Sequence, residues 1–265
     1  MKQIISVIII VVTSLCSFAQ QVNERGLKCV KELEVGKPDI HGHYSTKYVF
    51  EYFDDLSLKS VSVYDHGRFD RGFTRTPDGI KYQDGNGYSD TKYVCVFNAH
   101  GNIIKVTRSY GNSADVFEYS YAKSDRNPWE HVVKKTESSI YEGRRSYDWV
   151  YKFDYPDGTI CAARKPYDEA ESAYYFEKNE DQFNKNVKND TNIDFWQILG
   201  CGWQTRIVDW DLALTEWLCF RPDYLMNSTV NYTFKYEYDE SGNLVRILRI
   251  DYTSDEYEIN IKYLY

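Results

Sequence analysis

Tyr232-Thr233-Phe234-Lys235-Tyr236-Glu237-Tyr238-Asp239-Glu240-Ser241-Gly242-Asn243-Leu244 is the stretch whose reading decides the fold. Tyr232, Phe234, Tyr236 and Tyr238 alternate with Thr233, Lys235 and Glu237. Successive side chains of an extended chain point to opposite faces, so a period of two makes one face aromatic and the other polar, as in a half-buried antiparallel strand. A turn follows. Asp239 can accept hydrogen bonds from the backbone ahead of it, and Gly242 accepts the left-handed conformation that closes a short hairpin.

The same layout recurs outward from this stretch. Phe97-Asn98-Ala99-His100-Gly101-Asn102-Ile103 repeats it, Tyr155-Pro156-Asp157-Gly158-Thr159-Ile160 is a looser copy, and Thr76-Pro77-Asp78-Gly79-Ile80 is looser again. Alternating aromatics appear at Trp149, Tyr151, Phe153 and Tyr155, and at Phe117, Tyr119 and Tyr121. The last strand runs Tyr257, Ile259, Ile261, Tyr263, Tyr265, and the chain holds 25 tyrosines in all. Hairpins at irregular intervals describe a mainly β, antiparallel meander rather than a strict solenoid.

A segment from about 179 to 227 breaks the pattern and is expected to be a short Trp-rich helical insert. Asp194 can cap a helical turn ending at Gly200, and Asp209 a helix running to about Phe220, with Pro222 just beyond. On that second helix Trp210, Leu214, Trp217 and Leu218 share one face, which must be buried on the sheet or inside it. Trp196, Trp203, Trp210 and Trp217 fall seven apart, but Gly200 and Gly202 argue against one unbroken helix. These four tryptophans are the candidate ligand-binding residues, as an aromatic platform for a glycan or peptide. The competing reading is a core plug, the commoner use of large aromatics at helical spacing.

Residues 1–19 read as a signal peptide. Lys2 precedes an apolar run from Ile4 to Val12 and Leu15, and Ser17-Phe18-Ala19 sets small residues before Gln20. The run is too short to span a bilayer core of about 30 Å with ordinary flanks, and no later stretch is longer, so no membrane-spanning helix is expected. Cys16 raises a lipoprotein alternative, although Leu15 stands where such signals want a small residue. Residues 20–265 read as a single β-rich domain, with 20–47 an extended lead-in turning at Gly36-Lys37-Pro38-Asp39.

The net charge of −8 is spread along the chain without a basic patch, which argues against a nucleic-acid partner. Of six cysteines, Cys16 falls in the leader. Cys29, Cys95, Cys161, Cys201 and Cys219 remain, an odd number without a CxxC pair, so neither a zinc cluster nor a thioredoxin-like motif is present. Cys201 with Cys219 is the favoured disulfide, because the two flank one compact segment.

His41 and His43 lie beside Asp39, but Pro38 and Gly42 suggest a flexible loop and no third ligand stands out. Asp65-His66 and His100 read as turn residues and His131 as a strand residue. There is no G-x-S-x-G, and no cysteine sits in a recognisable catalytic context. Paired carboxylates for glycoside cleavage need only meet in space, and Asp251, Asp255 and Glu256 look like a solvated hairpin tip. No metal, cofactor or enzymatic activity is expected.

Thr191-Asn192-Ile193-Asp194-Phe195, a Trp/Leu-rich stretch, Arg221-Pro222-Asp223-Tyr224-Leu225-Met226, then Tyr232 to Asp239 and Gly242, together resemble a family of exported Bacteroidetes proteins. That family carries a domain of unknown function with a porin-like fold. The resemblance covers roughly residues 145–265, and single hairpins also resemble the YD repeats of larger bacterial surface proteins. It implies a many-stranded antiparallel sheet, curled or closed into a barrel-like form, and an envelope location, periplasmic, outer-membrane or secreted. It carries over no activity and no functional residues.

The expected function is that of an exported, non-catalytic binding protein of the cell envelope, recognising a glycan, peptide or protein through exposed Tyr and Trp. Three alternatives stand beside it: an outer-membrane β-barrel, an immunity-type protein that binds a rival's exported toxin, and an envelope polymer hydrolase. A barrel would need strands of about 9–11 residues with a lipid-facing apolar band. The Tyr257 to Tyr265 alternation fits that, whereas the charges in Tyr48-Val49-Phe50-Glu51-Tyr52-Phe53-Asp54-Asp55 do not.

Overall fold

Alternation of apolar and polar side chains becomes a long antiparallel meander in the structure, a computed structural model that describes residues 20–37, 40, 41, 44–85, 91–123, 130–155, 161–166, 175–177, 183–195, 212, 215–218, 220–228, 232–251 and 256–265. The first sheet holds β1 (Val30–Val35), β2 (Thr46–Tyr52), β3 (Leu58–Asp65), β4 (Arg68–Thr76) and β5 (Gly79–Asp84). The second holds β6 (Lys92–Phe97), β7 (Ile103–Tyr110), β8 (Ser113–Lys123), β9 (Glu130–Tyr141), β10 (Arg144–Asp154), β11 (Cys161–Pro166) and β12 (Tyr175–Glu177). A small pair, β13 (Phe183–Lys188) and β14 (Tyr224–Met226), precedes β15 (Tyr232–Tyr238), β16 (Leu244–Asp251) and β17 (Glu256–Tyr263), which return to the first sheet.

Strand orders are β15-β16-β17-β1-β2-β3-β4-β5 and β12-β11-β10-β9-β8-β7-β6. β1 therefore lies between β17 and β2, with Leu33 opposite Ile261 and Val35 opposite Ile259. The stretch 20–47, expected to be an extended lead-in, thus contains a central strand at Val30–Val35. Its charged residues Glu32 and Glu34 face outward, where Lys47 and Lys262 pair with them, and a register shift between Val30 and Glu32 breaks the alternation that would have revealed it.

Of the two expected forms, curled or closed, the closed barrel is not seen. Among the described residues no ladder joins β5 to β6 or β12 to β15. The β5 and β6 edges nonetheless touch. Tyr93 packs 4.7 Å from Tyr82 and 5.5 Å from Phe73, centroid to centroid, and a side chain at Gly79 would come within 2.7 Å of the Cys95 carbonyl.

One core cluster draws on both sheets, from Leu33, Val61 and Phe73 to Phe117, Tyr151 and Phe153. Chain segments from the 179–227 region fill its interior. Phe220 sits edge-on to Phe153 at 5.0 Å and to Tyr119 at 6.2 Å, and Phe195, Leu212, Trp217 and Leu218 are buried with it.

The expected helical insert is corrected at residues 183–188, 215–218 and 224–226, while Phe195, directly after Asp194, and Leu212 are helical. Residues 183–188 and 224–226 are strands, with Phe183 opposite Met226. Thr215 to Leu218 is a turn, closed by Thr215 N–H to the Leu212 carbonyl at 3.1 Å and Leu218 N–H to the Thr215 carbonyl at 3.3 Å. The backbone turns there because its groups serve the sheets: the Trp217 carbonyl accepts Ile103 N–H at 2.8 Å. Trp196, Trp203, Trp210, Cys201 and Cys219 lie outside the described residues, as do Gly158 and residues 1–19. No helix among the described residues is long and apolar enough to cross a membrane.

The blocks around Thr191 and Arg221 meet in space. Arg221 donates to the carbonyls of Thr191, at 2.7 Å, and Asn189, and burial pushes its guanidinium pKa down to about 10. Asn192 accepts Val30 N–H at 3.0 Å and donates to the Tyr52 hydroxyl at 2.9 Å. These residues tie the interior segment to β1 and β2, a structural task.

The outer face of the first sheet is ionic. Arg246 bridges Glu237 and Glu258, and Lys262 reaches Glu34 at 2.5 Å and Glu32 at 3.2 Å.

Two substitutions test this architecture. Gly242 has φ +79 with open space around its Cα, so Gly242→Val acts through backbone strain alone and is expected to cost about 1 kcal/mol or more in thermal or urea unfolding. Trp217 is 1% exposed, and Trp217→Ala is expected to cost about 3–5 kcal/mol. An unchanged melting temperature would contradict the turn in the first case and the core placement in the second.

Candidate functional site

A single loop design recurs at one end of the curled sheets. In Asn23 to Leu27, Asn98 to Asn102 and Asp239 to Asn243, the fourth residue is a left-handed glycine (Gly26, Gly101, Gly242) whose N–H reaches the first residue's carbonyl at 2.9–3.1 Å. The first side chain accepts two backbone N–H groups further on: Asn23 from Arg25 and Leu27, Asn98 from His100 and Asn102, Asp239 from Ser241 and Asn243. Phe53 to Ser57 has the same backbone bonds with Leu56 at φ 62 in the glycine position. Asp55 compensates by accepting Ser57 N–H at 2.9 Å.

The loops at Asn23, Phe53 and Asn98 enclose a cleft of about 610 Å³ with the β4, β8 and β9 ends. Its charges balance. Arg25, Arg75 and Lys123 face Glu24, Asp55 and Glu130. Glu130 accepts the side-chain amides of Asn98 and Asn102, both at 3.2 Å, and His100 stands 3.9 Å from its other oxygen. Hydrogen bonds from Ser57 hold the Asp55 carboxyl below its usual range, with Arg75 contributing.

Arg75 has neighbours on two sides. Its guanidinium lies over the Phe97 ring at 4.9 Å. On another side it abuts Gly101, where an added Cβ would stand 3.3 Å from Nη2. Gly101 is thus favoured by its φ of +80, and the space it leaves lets the Arg75 guanidinium lie close to the loop.

Below this cleft a smaller cavity of about 110 Å³ reaches Glu216 and Trp217. The Glu216 carboxylate accepts Leu58 N–H at 2.8 Å and the Asn23 amide at 3.0 Å. Burial raises its pKa, and these donors only partly offset it. The Trp217 indole donates to the Leu58 carbonyl at 3.3 Å. Trp217 is therefore the floor beneath the cleft, not an exposed platform, because its ring is enclosed and its N–H is spent on the backbone.

Asp39 and His43 lie outside the described residues, as does the loop carrying Asp255. Among the described residues no group of three His, Cys, Asp or Glu is placed to hold a metal. Cys29 and Cys95 are buried core residues, and burial pushes the Cys29 thiol up to about 11. His131 is buried on β9 against Tyr155, which lowers its pKa.

Sequence reasoning singled out Gly101 and Gly242 as turn residues but missed the cleft. The signal at Asn23-Glu24-Arg25-Gly26 was the same as at Asn98 and Asp239. At Phe53 to Ser57 no glycine marks the loop.

Among solved structures, 11 chains match this fold. One is a porin-like protein from Bacteroides uniformis, with a TM-score of 0.55 and 12% sequence identity, covering 89% of this chain and 98% of that one. At that identity the likeness is one of fold alone. No protein-family model matches the chain, and no curated protein matches it.

Glu216 carries a pH prediction. Its folded pKa lies above the ordinary 4.5, so the native state binds the proton more tightly than the unfolded chain does. Stability relative to Glu216→Gln is therefore greatest below about pH 4.5 and declines as pH rises from there through the raised pKa. Melting temperatures of both proteins across pH 4–8 check this, and a constant difference would contradict it.

Proposed function

We propose that this is a non-catalytic binding protein of the cell envelope and that the loop-built cleft takes its ligand. The observation that carries this reading is the cleft itself, walled by three loops of one design and lined by balanced, pre-positioned polar groups. Ligand sites of this kind are concave and largely pre-formed, with a few fixed polar groups that set orientation. The size suits one or two sugar rings or a short peptide, and the half-exposed Phe53 ring at the rim (40%) offers an apolar face to either.

Binding is favoured over hydrolysis by the state of the carboxylates. A general acid at neutral pH needs a raised pKa and access to the substrate. In the cleft lining Asp55 is held low and Glu130 accepts two amides, while the raised carboxyl, Glu216, lies beneath the cleft with its two oxygens on Leu58 N–H and the Asn23 amide. The envelope assignment is supported by the leader-like residues 1–19 and by the likeness to a porin-like Bacteroides protein. Against a lipid-embedded barrel stand Arg246, Glu258, Lys262 and Glu34 on the outer face of the first sheet. A Lys or Arg facing lipid at the bilayer midplane costs about 2–4 kcal/mol.

Ala99 is exposed at the cleft wall and leaves the loop's hydrogen bonds to its neighbours. Ala99→Trp is expected to fill the cleft and weaken a ligand found by glycan-array or envelope-extract screening at least tenfold, with melting unchanged. Full affinity in that variant would place the binding site elsewhere. Release of the protein by osmotic shock without detergent is expected, and recovery only in detergent would favour the barrel.

A further inference from the structure

We propose that the ligand of this cleft is an acidic saccharide, a sugar chain bearing a hexuronic-acid carboxylate, and that Arg75 is the residue that receives the carboxylate. The proposal rests on the reading of the cleft as the binding site. Arg75 lies over the Phe97 ring and beside Gly101, which leaves it room, yet among the described residues its guanidinium has no hydrogen-bond acceptor, and Asp55 acts on it only through space. A guanidinium is always charged and presents a planar fork of N–H donors that matches a carboxylate in two parallel bonds. Stacking that fork beforehand lowers the ordering cost of binding.

The rest of the lining selects among anions. Lys123 is exposed at the end of β8 and has no ion-pair partner among the described residues. It adds a second cation. Glu24, Asp55 and Glu130 add three negative charges that repel a dianionic phosphate more strongly than a singly charged carboxylate, and the lone pairs left over from Asp55's bonds to Ser57 and Glu130's to Asn98 and Asn102 can accept hydrogen bonds from hydroxyl groups. Hydroxyls beside one carboxylate describe a uronic acid, and Phe53 at the rim can cover the C–H face of a neighbouring ring.

The test is titration calorimetry on the leaderless protein with three probes: an oligogalacturonate, its methyl ester, and a neutral peptide ending in a free carboxylate. The free acid is expected to bind, the ester at least tenfold more weakly. Arg75→Met should lose at least tenfold for the acid with little change for the ester, and Arg75→Lys should fall between, with melting curves confirming that both variants fold. Equal binding of acid and ester, both lost in Ala99→Trp, would overturn the carboxylate assignment while leaving the cleft as the site. Acid binding that survives Ala99→Trp would overturn the cleft reading itself. Arg75-dependent binding of the peptide alone would overturn the saccharide class, and failure of all three probes to bind would overturn the proposal.

Discussion

Glu216 and Trp217 hold together two sheets that, among the described residues, share no ladder on the side where β5 meets β6. The Glu216 carboxylate and the Trp217 indole clasp both backbone groups of Leu58, where β3 begins, and the Trp217 carbonyl holds the N–H of Ile103, where β7 begins. Leu58 belongs to the first sheet and Ile103 to the second. The strand starts have backbone groups that cannot be left unpaired once water is excluded. Supplying them from one interior turn satisfies them and fixes how far apart the two sheet ends stand.

That spacing defines the site. The loops at Phe53 and Asn98 lead directly into β3 and β7, so the clasp on Leu58 and Ile103 sets the width of the cleft between them. Asn23 joins from the third side through its amide to Glu216. Floor and walls are one hydrogen-bonded unit. The charged groups above it are then presented on short, self-bonded loops, which lose little freedom when a ligand arrives.

The strands were legible in the sequence wherever their neighbours are local and their alternation unbroken. Phe117 to Tyr121, Trp149 to Phe153 and Tyr257 to Tyr263 all lie in strands, and Phe117, Tyr119, Tyr151, Phe153, Ile259, Ile261 and Tyr263 are buried. β1 escaped notice because it carries Lys31, Glu32 and Glu34 and pairs with a strand from the other end of the chain, past a register shift. The turn at Trp217 was read as a helix because the i, i+4, i+7, i+8 spacing reports which residues are apolar, not where their backbone groups bond. The cleft was illegible for a related reason. Arg25, Asp55, Arg75, Asn102 and Glu130 come from five separate places in the chain, and only the repeated Asx-x-x-Gly pattern hinted that two of those places share a loop design.

Native-state hydrogen exchange of the Leu58 and Ile103 amides tests the clasp most directly. If one interior turn holds both sheets, these two amides, although each begins a strand beneath an open cleft, exchange together and only with the global opening of the core. Rapid exchange of one while the other stays protected would show that the sheets are held independently.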